Sequence, residues 1–335
     1  MEDIQFKLSD FKETGIKEFN WHDYNNSQTK EKLFFFRLLD ELCSCIEPEK
    51  EGSVGRRPAS FAHQIFCMCL KTYLGMSSRR LISDLEVSKQ AGYIDVCPCF
   101  NSVLNYFNNS SLKSVLKYLI ELSALPLAQL ERKFAVDSTG FSLHQYEPWI
   151  QAREHHKTHR KYKKAHIIYG VLSNIAVSCS VTEGNKADSP QFQNLLKRAA
   201  NNFIVDEITA DKAYSSRENL RYASELGSVA YIPFKDNATG NSKGCMVWKR
   251  MYEYFKKHNE EFLRHYHLRS NAETGFWMIK QKFGEFVKSK NEVSQENEVL
   301  CKVLCHNICC LIQEIFLQKI EVNFLDVQKL FVAQQ

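Results

Sequence analysis

The sequence predicts an α/β protein, a mixed five-stranded sheet flanked by helices, preceded by an all-helical N-terminal region. Three observations predict it. Apolar residues recur at helical spacing through roughly the first 130 positions; β-branched runs bounded by turn residues replace them after about 131; and beyond about 190 helices alternate with strands, the pattern of βα units. With 335 residues, 44% hydrophobic and 25% charged, the chain has the composition of a globular protein with a sizeable core and, at this length, two domains.

The helical region has one polar break, "EPEKEGSVGRRPAS". After it, "FAHQIFCMCLKTYLG" ends at Gly75, suited to the left-handed position that closes a helix. "SSRRLISDLEVSKQAG" opens on a serine N-cap candidate and stops at Gly92, and Pro98 suits a helix start in "PCFNSVLNYFNN". Helix, short turn, helix with Arg79 and Arg80 nearby fits a helix-turn-helix DNA reader, and equally any small helical bundle. Three strands follow, "KFAVDSTGFSL", "HIIYGVLS" and "IAVSCSVTEG", the last two joined by a tight turn near Asn174 in an antiparallel meander. "SPQFQNLLKRAANN" reads as a helix with Ser189 as N-cap and Pro190 as its first residue. "DEITADKAY" is a strand, "SSRENLRYASELG" a helix whose capping box pairs Ser215 with Glu218, and "SVAYIPFK" a strand. Helices then run to near residue 320. The expected boundaries are 1–130 for a helical N-terminal DNA-binding domain, 131–320 for the sheet domain and 321–335 for a C-terminal tail.

Composition narrows the function classes. The formal charge of +5 is modest, so affinity for nucleic acid must come from local clustering. "MEDIQFKLSD" lacks the basic and apolar regions of a signal peptide, and no uninterrupted apolar run is long enough to span a bilayer, so a cytoplasmic protein without a membrane partner is expected. Twelve cysteines without a secretory signal argue for reduced thiols or a metal site rather than a disulfide framework. Cys301, Cys305 and Cys309 share one helical face beside His306, which fits core packing better than zinc.

The acids carry the chemistry. Asp137 lies inside the first strand after "FAV", and Asp211 ends the fourth after "ITA". Carboxylates are disfavoured inside strands, and the carboxyl ends of strands are where α/β sheets place functional groups. In "YHLRSNAETGFWMIK", a regular helix advancing about 100° per residue puts Tyr266, Arg269, Glu273 and Lys280 on one face. Two plainer readings compete: a solvated face stitched by an Arg269/Glu273 pair, and a capping box in "SNAE". If this helix packs on the sheet, Asp137, Asp211 and Glu273 converge. Three convergent carboxylates suit hard divalent ions such as Mg²⁺, and a metal pair suits phosphodiester chemistry. Carboxylates without metal suggest glycoside hydrolysis, which leaves the surrounding cations unexplained.

With "AVDSTGF", "ADKAYSS" and the spacing of Tyr266, Arg269, Glu273 and Lys280, the chain resembles the DDE transposases of prokaryotic insertion sequences, the group with a Tyr-Arg-Glu-Lys signature. The resemblance covers the second half and, more loosely, "GRRPASFAHQIFCMCLKTYLG" and "PCFNSVLNYF". It implies an RNase H-like core in which Asp137, Asp211 and Glu273 hold two Mg²⁺, with Mn²⁺ as a substitute, while Tyr266, Arg269 and Lys280 grip phosphates of the transposon end. It also implies double-stranded DNA as partner, at transposon ends and target, and a homodimer in the DNA complex. The short spacer between Asp211 and Glu273 leaves no room for a large β-rich insertion. "EGNKADSPQF" also resembles a family segment, although capping accounts for Asp188 and Ser189.

The densest positive stretch is "REHHKTHRKYKKAH", where Arg153, Lys157, Arg160, Lys161, Lys163 and Lys164 are candidate phosphate contacts. Three functions fit: an active transposase that binds terminal inverted repeats, cleaves at the ends and performs strand transfer; a domesticated or inactive relative that binds DNA without cutting; and a stand-alone RNase H-like nuclease. An intact acidic triad favours the first.

Overall fold

A computed structural model describes residues 20–47, 59–143 and 161–333. Five helices come first: α1 (Trp21–Ser44), α2 (Phe61–Leu74), α3 (Ser78–Gln90), α4 (Phe100–Phe107) and α5 (Leu112–Ala124). Capping is local and legible. Asn20, Ser60 and Ser77 each accept a hydrogen bond from the first turn of the helix they precede. Gly75 closes α2 with φ of 67°, in the left-handed region where a side chain would be strained, and this makes the sharp turn into α3.

The sheet follows. Strands β1 (Lys133–Ser142), β2 (Tyr162–Gly170) and β3 (Ala176–Glu183) form the antiparallel meander, and Asn174 takes φ of 58° in the turn between the last two. Helix α6 (Gln191–Ala200), β4 (Glu207–Ala210), α7 (Arg217–Glu225) and β5 (Val229–Tyr231) complete the alternation. Strands β4 and β5 run parallel to β1, and the sheet order is β3-β2-β1-β4-β5. This is the mixed five-stranded sheet flanked by helices that the sequence predicts. Then come α8 (Met246–Lys257), α9 (Asn259–Tyr266), a 3₁₀ turn (His267–Arg269), α10 (Ser270–Phe283), α11 (Glu292–Gln318) and α12 (Phe324–Ala333).

Helix α11 organises the packing. It contacts α1, α2 and α5 as well as β2 and β3, so the N-terminal helices and the sheet share one hydrophobic core. Asn307 on α11 accepts from the Ala176 amide and donates to the Ala176 carbonyl at the start of β3, tying bundle to sheet. By length and composition α11 is apolar enough to cross a bilayer, which departs from the sequence expectation, but it is the buried central helix of this core. All twelve cysteines are free, and most are buried, as expected for core packing. Buried His306 makes its hydrogen bond to the Asn174 carbonyl.

Several local expectations shift. Pro190, not Ser189, takes the N-cap position of α6, without a side-chain cap bond. Ser216, not Ser215, caps α7, because its hydroxyl accepts from the Asn219 amide. The segment expected as a tail contains α12, which contacts α1 and α5.

Candidate active site

The apolar run Phe134–Ala135–Val136 inserts β1 into the middle of the sheet, and Asp137 is the first polar residue beyond it. Alternation puts Asp137 and Thr139 on the face covered by α10, and Ser138 on the other. Asp137 accepts from the Ser138 amide at 2.8 Å and from Arg269 Nη1 at 3.0 Å. Asp211 follows β4, the parallel neighbour of β1, and its carboxylate accepts from the Lys212 amide to open a 3₁₀ turn. Glu273 stands in the first turn of α10 with its side chain 58% exposed, held by Arg269 Nη2. One guanidinium therefore joins the strand acid to the helix acid.

Electrostatics report the same convergence. Burial pushes the Asp137 carboxyl above its ordinary range; the Ser138 amide and Arg269 oppose this, while the charges of Asp211 and Glu273 push it up further. Both acids thus lie within Coulombic reach of Asp137.

Lys280 donates to Thr139 Oγ1 at 2.8 Å, one turn of strand beyond Asp137, and burial holds its pKa below the ordinary value. Tyr266 is half-buried with the Arg269 guanidinium 5.9 Å from its ring centre. The 3₁₀ turn breaks the ideal helical stripe between Tyr266 and Glu273, yet Arg269 and Lys280 both reach β1. The capping-box reading of "SNAE" does not hold: Ser270 donates to the His267 carbonyl, and Glu273 pairs with Arg269 instead of reaching back to Ser270. The Arg269/Glu273 pair of the solvated-face reading does form, but it also engages Asp137.

Two supporting residues escaped the sequence reading. Thr139 lies two positions after Asp137 and so on the same strand face, which period-two alternation reveals. Gly275 lets α10 lie close to β2, since a Cβ there would meet the Tyr169 ring at 2.7 Å. A lone glycine inside a helical pattern is the signal for such an approach.

The basic candidates separate. Arg153, Lys157 and Arg160 lie outside the described residues. Lys161 is exposed. Lys163 is corrected: β2 begins at Tyr162, alternation turns this side chain inward, and its ammonium pairs with Glu183 and lies 3.6 Å from Glu292 and 3.7 Å from Glu296. With its side chain 1% exposed it cannot meet DNA. Lys164 pairs with Asp188 at 2.6 Å, so Asp188 is an ion-pair partner rather than a helix cap. Arg79 and Arg80 are exposed at the start of α3, and the Arg79 guanidinium packs 4.7 Å from the Phe100 ring centre.

Among the described residues, the acids that bring three oxygens within 4.8 Å of one another are Glu183, Glu292 and Glu296, not Asp137, Asp211 and Glu273. Lys163, and Lys113 paired with Glu296, offset two of the three charges of the tighter cluster. In the second set a guanidinium stands between Asp137 and Glu273, and Asp211 has no ion-pair partner among the described residues.

The family model described as transposase DDE domain matches residues 128–308, more than half of the chain. A probable transposase for an insertion sequence element of Archaeoglobus fulgidus is 26% identical over 180 residues, 52% of this chain and 52% of that one. The chain thus spans about half the length of this curated relative. Among solved structures, a chain of the simian T-cell lymphotropic virus intasome in complex with a PP2A regulatory subunit aligns over 45% of this chain and 48% of its own, with 15% identity and a TM-score of 0.22. A chain of the piggyBac transposase synaptic complex with hairpin DNA aligns over 92% of this chain and 80% of its own, with 10% identity and a TM-score of 0.41.

Proposed function

The chain belongs to the transposase DDE domain family, and we propose that it is an active transposase that binds the terminal inverted repeats of an insertion sequence, cleaves at the ends and joins a 3′-OH to target DNA. The observation that carries this reading is Arg269 holding Asp137 and Glu273 together, with Asp211 close enough to raise the Asp137 pKa. Supporting it, Asp137 and Asp211 lie just past the parallel pairing of β1 with β4, at the carboxyl ends of parallel strands where α/β proteins place their chemistry.

On this reading Asp137, Asp211 and Glu273 hold two Mg²⁺, or Mn²⁺ in their place. Bound there, such ions supply Lewis acidity to an in-line displacement at phosphorus. The protein's own part is positional. Arg269 keeps the acids apart from one another's charge until metal and DNA arrive, then offers its planar fork to a phosphate. Lys280, fixed by Thr139, places a second cation on the same side, and Tyr266 lines the approach of the backbone. Helices α2 and α3 with their glycine turn supply end recognition through Arg79 and Arg80, because the residues at the acids touch backbone and not base edges. This divides the labour between the region up to residue 130 and residues 131–320. Lys161, with the outlying Arg153, Lys157 and Arg160, adds contacts to phosphate, whereas Lys164 is committed to Asp188. The protein acts as a homodimer on double-stranded DNA in the cytoplasm, at the nucleoid.

The test is Mg²⁺-dependent cleavage of a duplex carrying the inverted repeat found beside the gene. Binding of that duplex without cutting by the wild type would establish the inactive DNA-binding relative instead, and cutting without joining would establish a nuclease.

A further inference from the structure

An open cleft of about 480 Å³ adjoins Asp211, lined by Asp211, Lys212, Ala213, Lys235, Asp236 and Asn237. Its walls come from the segments that leave the carboxyl ends of β4 and β5, the crevice where open α/β sheets take ligands. Its size falls within the roughly 300–1,000 Å³ of small-molecule sites. Lys212 and Lys235 are exposed, and neither pairs with a carboxylate among the described residues. This separates them from Lys163 and Lys164, whose charges are already answered by glutamate and aspartate.

The far wall is built, not loose. Trp248 Nε1 donates to the Thr239 carbonyl at 2.8 Å, and Arg217 donates to the Asn241 carbonyl at 3.0 Å while its guanidinium lies 4.4 Å from the Trp248 ring centre. Gly240 lets the loop settle on Tyr252, whose ring a Cβ would meet at 2.9 Å. The Ala238 amide closes a turn onto the Lys235 carbonyl. A loop tied at four points presents Lys235 opposite Lys212 without waiting for a ligand to order it.

We propose that this cleft seats the nucleotide flanking the scissile phosphate, with Lys212 and Lys235 gripping that nucleotide's own phosphate. The inference deepens the proposed function and rests on it. A strand entering a site made of three carboxylates meets repulsion, and two uncommitted ammoniums beside Asp211 offset it at the neighbouring phosphate. Asp236 and Asn237 complete the lining with an acceptor and an amide, suited to the donor groups of a nucleotide and adverse to a bare anion.

The experiment is a salt titration of binding to a duplex carrying the inverted repeat, in Ca²⁺, for wild type, Lys212→Gln, Lys235→Gln, the double variant and Lys212→Arg/Lys235→Arg. The double Gln change should flatten the dependence of log affinity on log salt by about 0.9, each single change by less, and the Arg pair should restore it. A second duplex carries a neutral methylphosphonate at the flanking position. It should bind wild type more weakly than native DNA does, yet bind the double Gln variant no more weakly than native DNA does, because the contact is already gone. Unchanged slopes, or methylphosphonate and Gln losses that simply multiply, overturn the cleft assignment while leaving the proposed function standing. Failure of wild type to bind the duplex sinks both.

Discussion

Two sets of three carboxylates stand in this molecule, and each has a cation in its midst. Around Glu183, Glu292 and Glu296 the cation is Lys163, projecting from an inner strand with its side chain 1% exposed, and Lys113 pairs with Glu296 as well. Around Asp137, Asp211 and Glu273 it is Arg269, carried on a 3₁₀ turn with its side chain 22% exposed, pairing two acids and leaving the third. On the proposed function, the set that takes metal is the one whose counter-charge is partly exposed, and the tighter set, with its enclosed Lys163, is a structural ion cluster.

The largest expected effect tests that separation directly. Asp137→Ala, Asp211→Ala and Glu273→Ala should each lower Mg²⁺-dependent cutting by about 10²–10⁴-fold, the equivalent of several kcal/mol of lost Lewis-acid assistance, while leaving DNA binding in place. Glu292→Gln should leave cutting unchanged, its side chain being 72% exposed at the edge of the other set. Equal losses from Glu292→Gln and Glu273→Ala would erase the distinction.

A second effect tests how the proposed metal-binding set is positioned. Gly275→Ala inserts a methyl against Tyr169, which is fully buried and cannot yield. Helix α10 must then lift from β2 and carry Glu273 and Arg269 with it. A displacement near 1 Å can cost about 10²-fold in rate. Cutting measured at saturating DNA should fall by that order with the Lys163 cluster undisturbed, and Tyr169→Phe, which keeps the ring, should not rescue it. Full activity in Gly275→Ala would show that α10 has slack.

Much of this was legible in the sequence, for identifiable reasons. The strand order followed from local signals: the Asn174 turn, the apolar run before Asp137, and alternating helices and strands. Both Asp residues sat at strand positions where propensity disfavours them, which marks them for a purpose. Lys163 was misplaced because the tyrosine and lysines before Ala165 look like a polar loop, although β2 starts at Tyr162 and alternation then buries position 163. Arg269 bridging to Asp137 was not legible, since it joins residues 132 positions apart. Nor was the packing of α11 on α1 and α2, which no local pattern encodes.

Removing the fixed cation gives a smaller effect with a distinctive pH signature. Lys163→Met should cost about 2 kcal/mol in chemical unfolding, toward the low side for breaking a buried pair because Glu183 and Glu292 stay open to water. The two sets should also titrate in opposite senses in chelator. Burial, then repulsion from Asp211 and Glu273, raises the Asp137 pKa, so its contribution to stability is full below 3.8 and is lost as pH rises through the folded value. The bond from Lys163 lowers the Glu183 pKa, so its contribution is present above 4.5 and is lost as pH falls through the folded value. Asp137→Asn should therefore melt above wild type at neutral pH, and Glu183→Gln below it, with both differences shrinking on acidification. Same-sign differences would mean that the two cations do equivalent work.

The smallest expected effect concerns whether Arg269 serves DNA as well as the acids. If it only bridges Asp137 and Glu273, Arg269→Ala leaves DNA affinity alone and costs stability only through the lost bridge, more than a surface pair would because Arg269 and Asp137 are largely buried. If it turns to a phosphate once metal takes over the acids, Arg269→Ala should flatten the salt dependence of end binding in Ca²⁺ by about one unit, as should Lys280→Ala. Without a divalent ion the acids still hold the guanidinium, so the Arg269 slope change should vanish in chelator while that of Lys280, which has no carboxylate partner among the described residues, persists. Arg269→Lys should keep the charge and the slope but weaken affinity, because an ammonium cannot reproduce the planar fork across two oxygens. An Arg269 slope change equally large with and without Ca²⁺ would show that the guanidinium is free to meet DNA at all times, and the contrast with Lys163 would then rest on exposure alone.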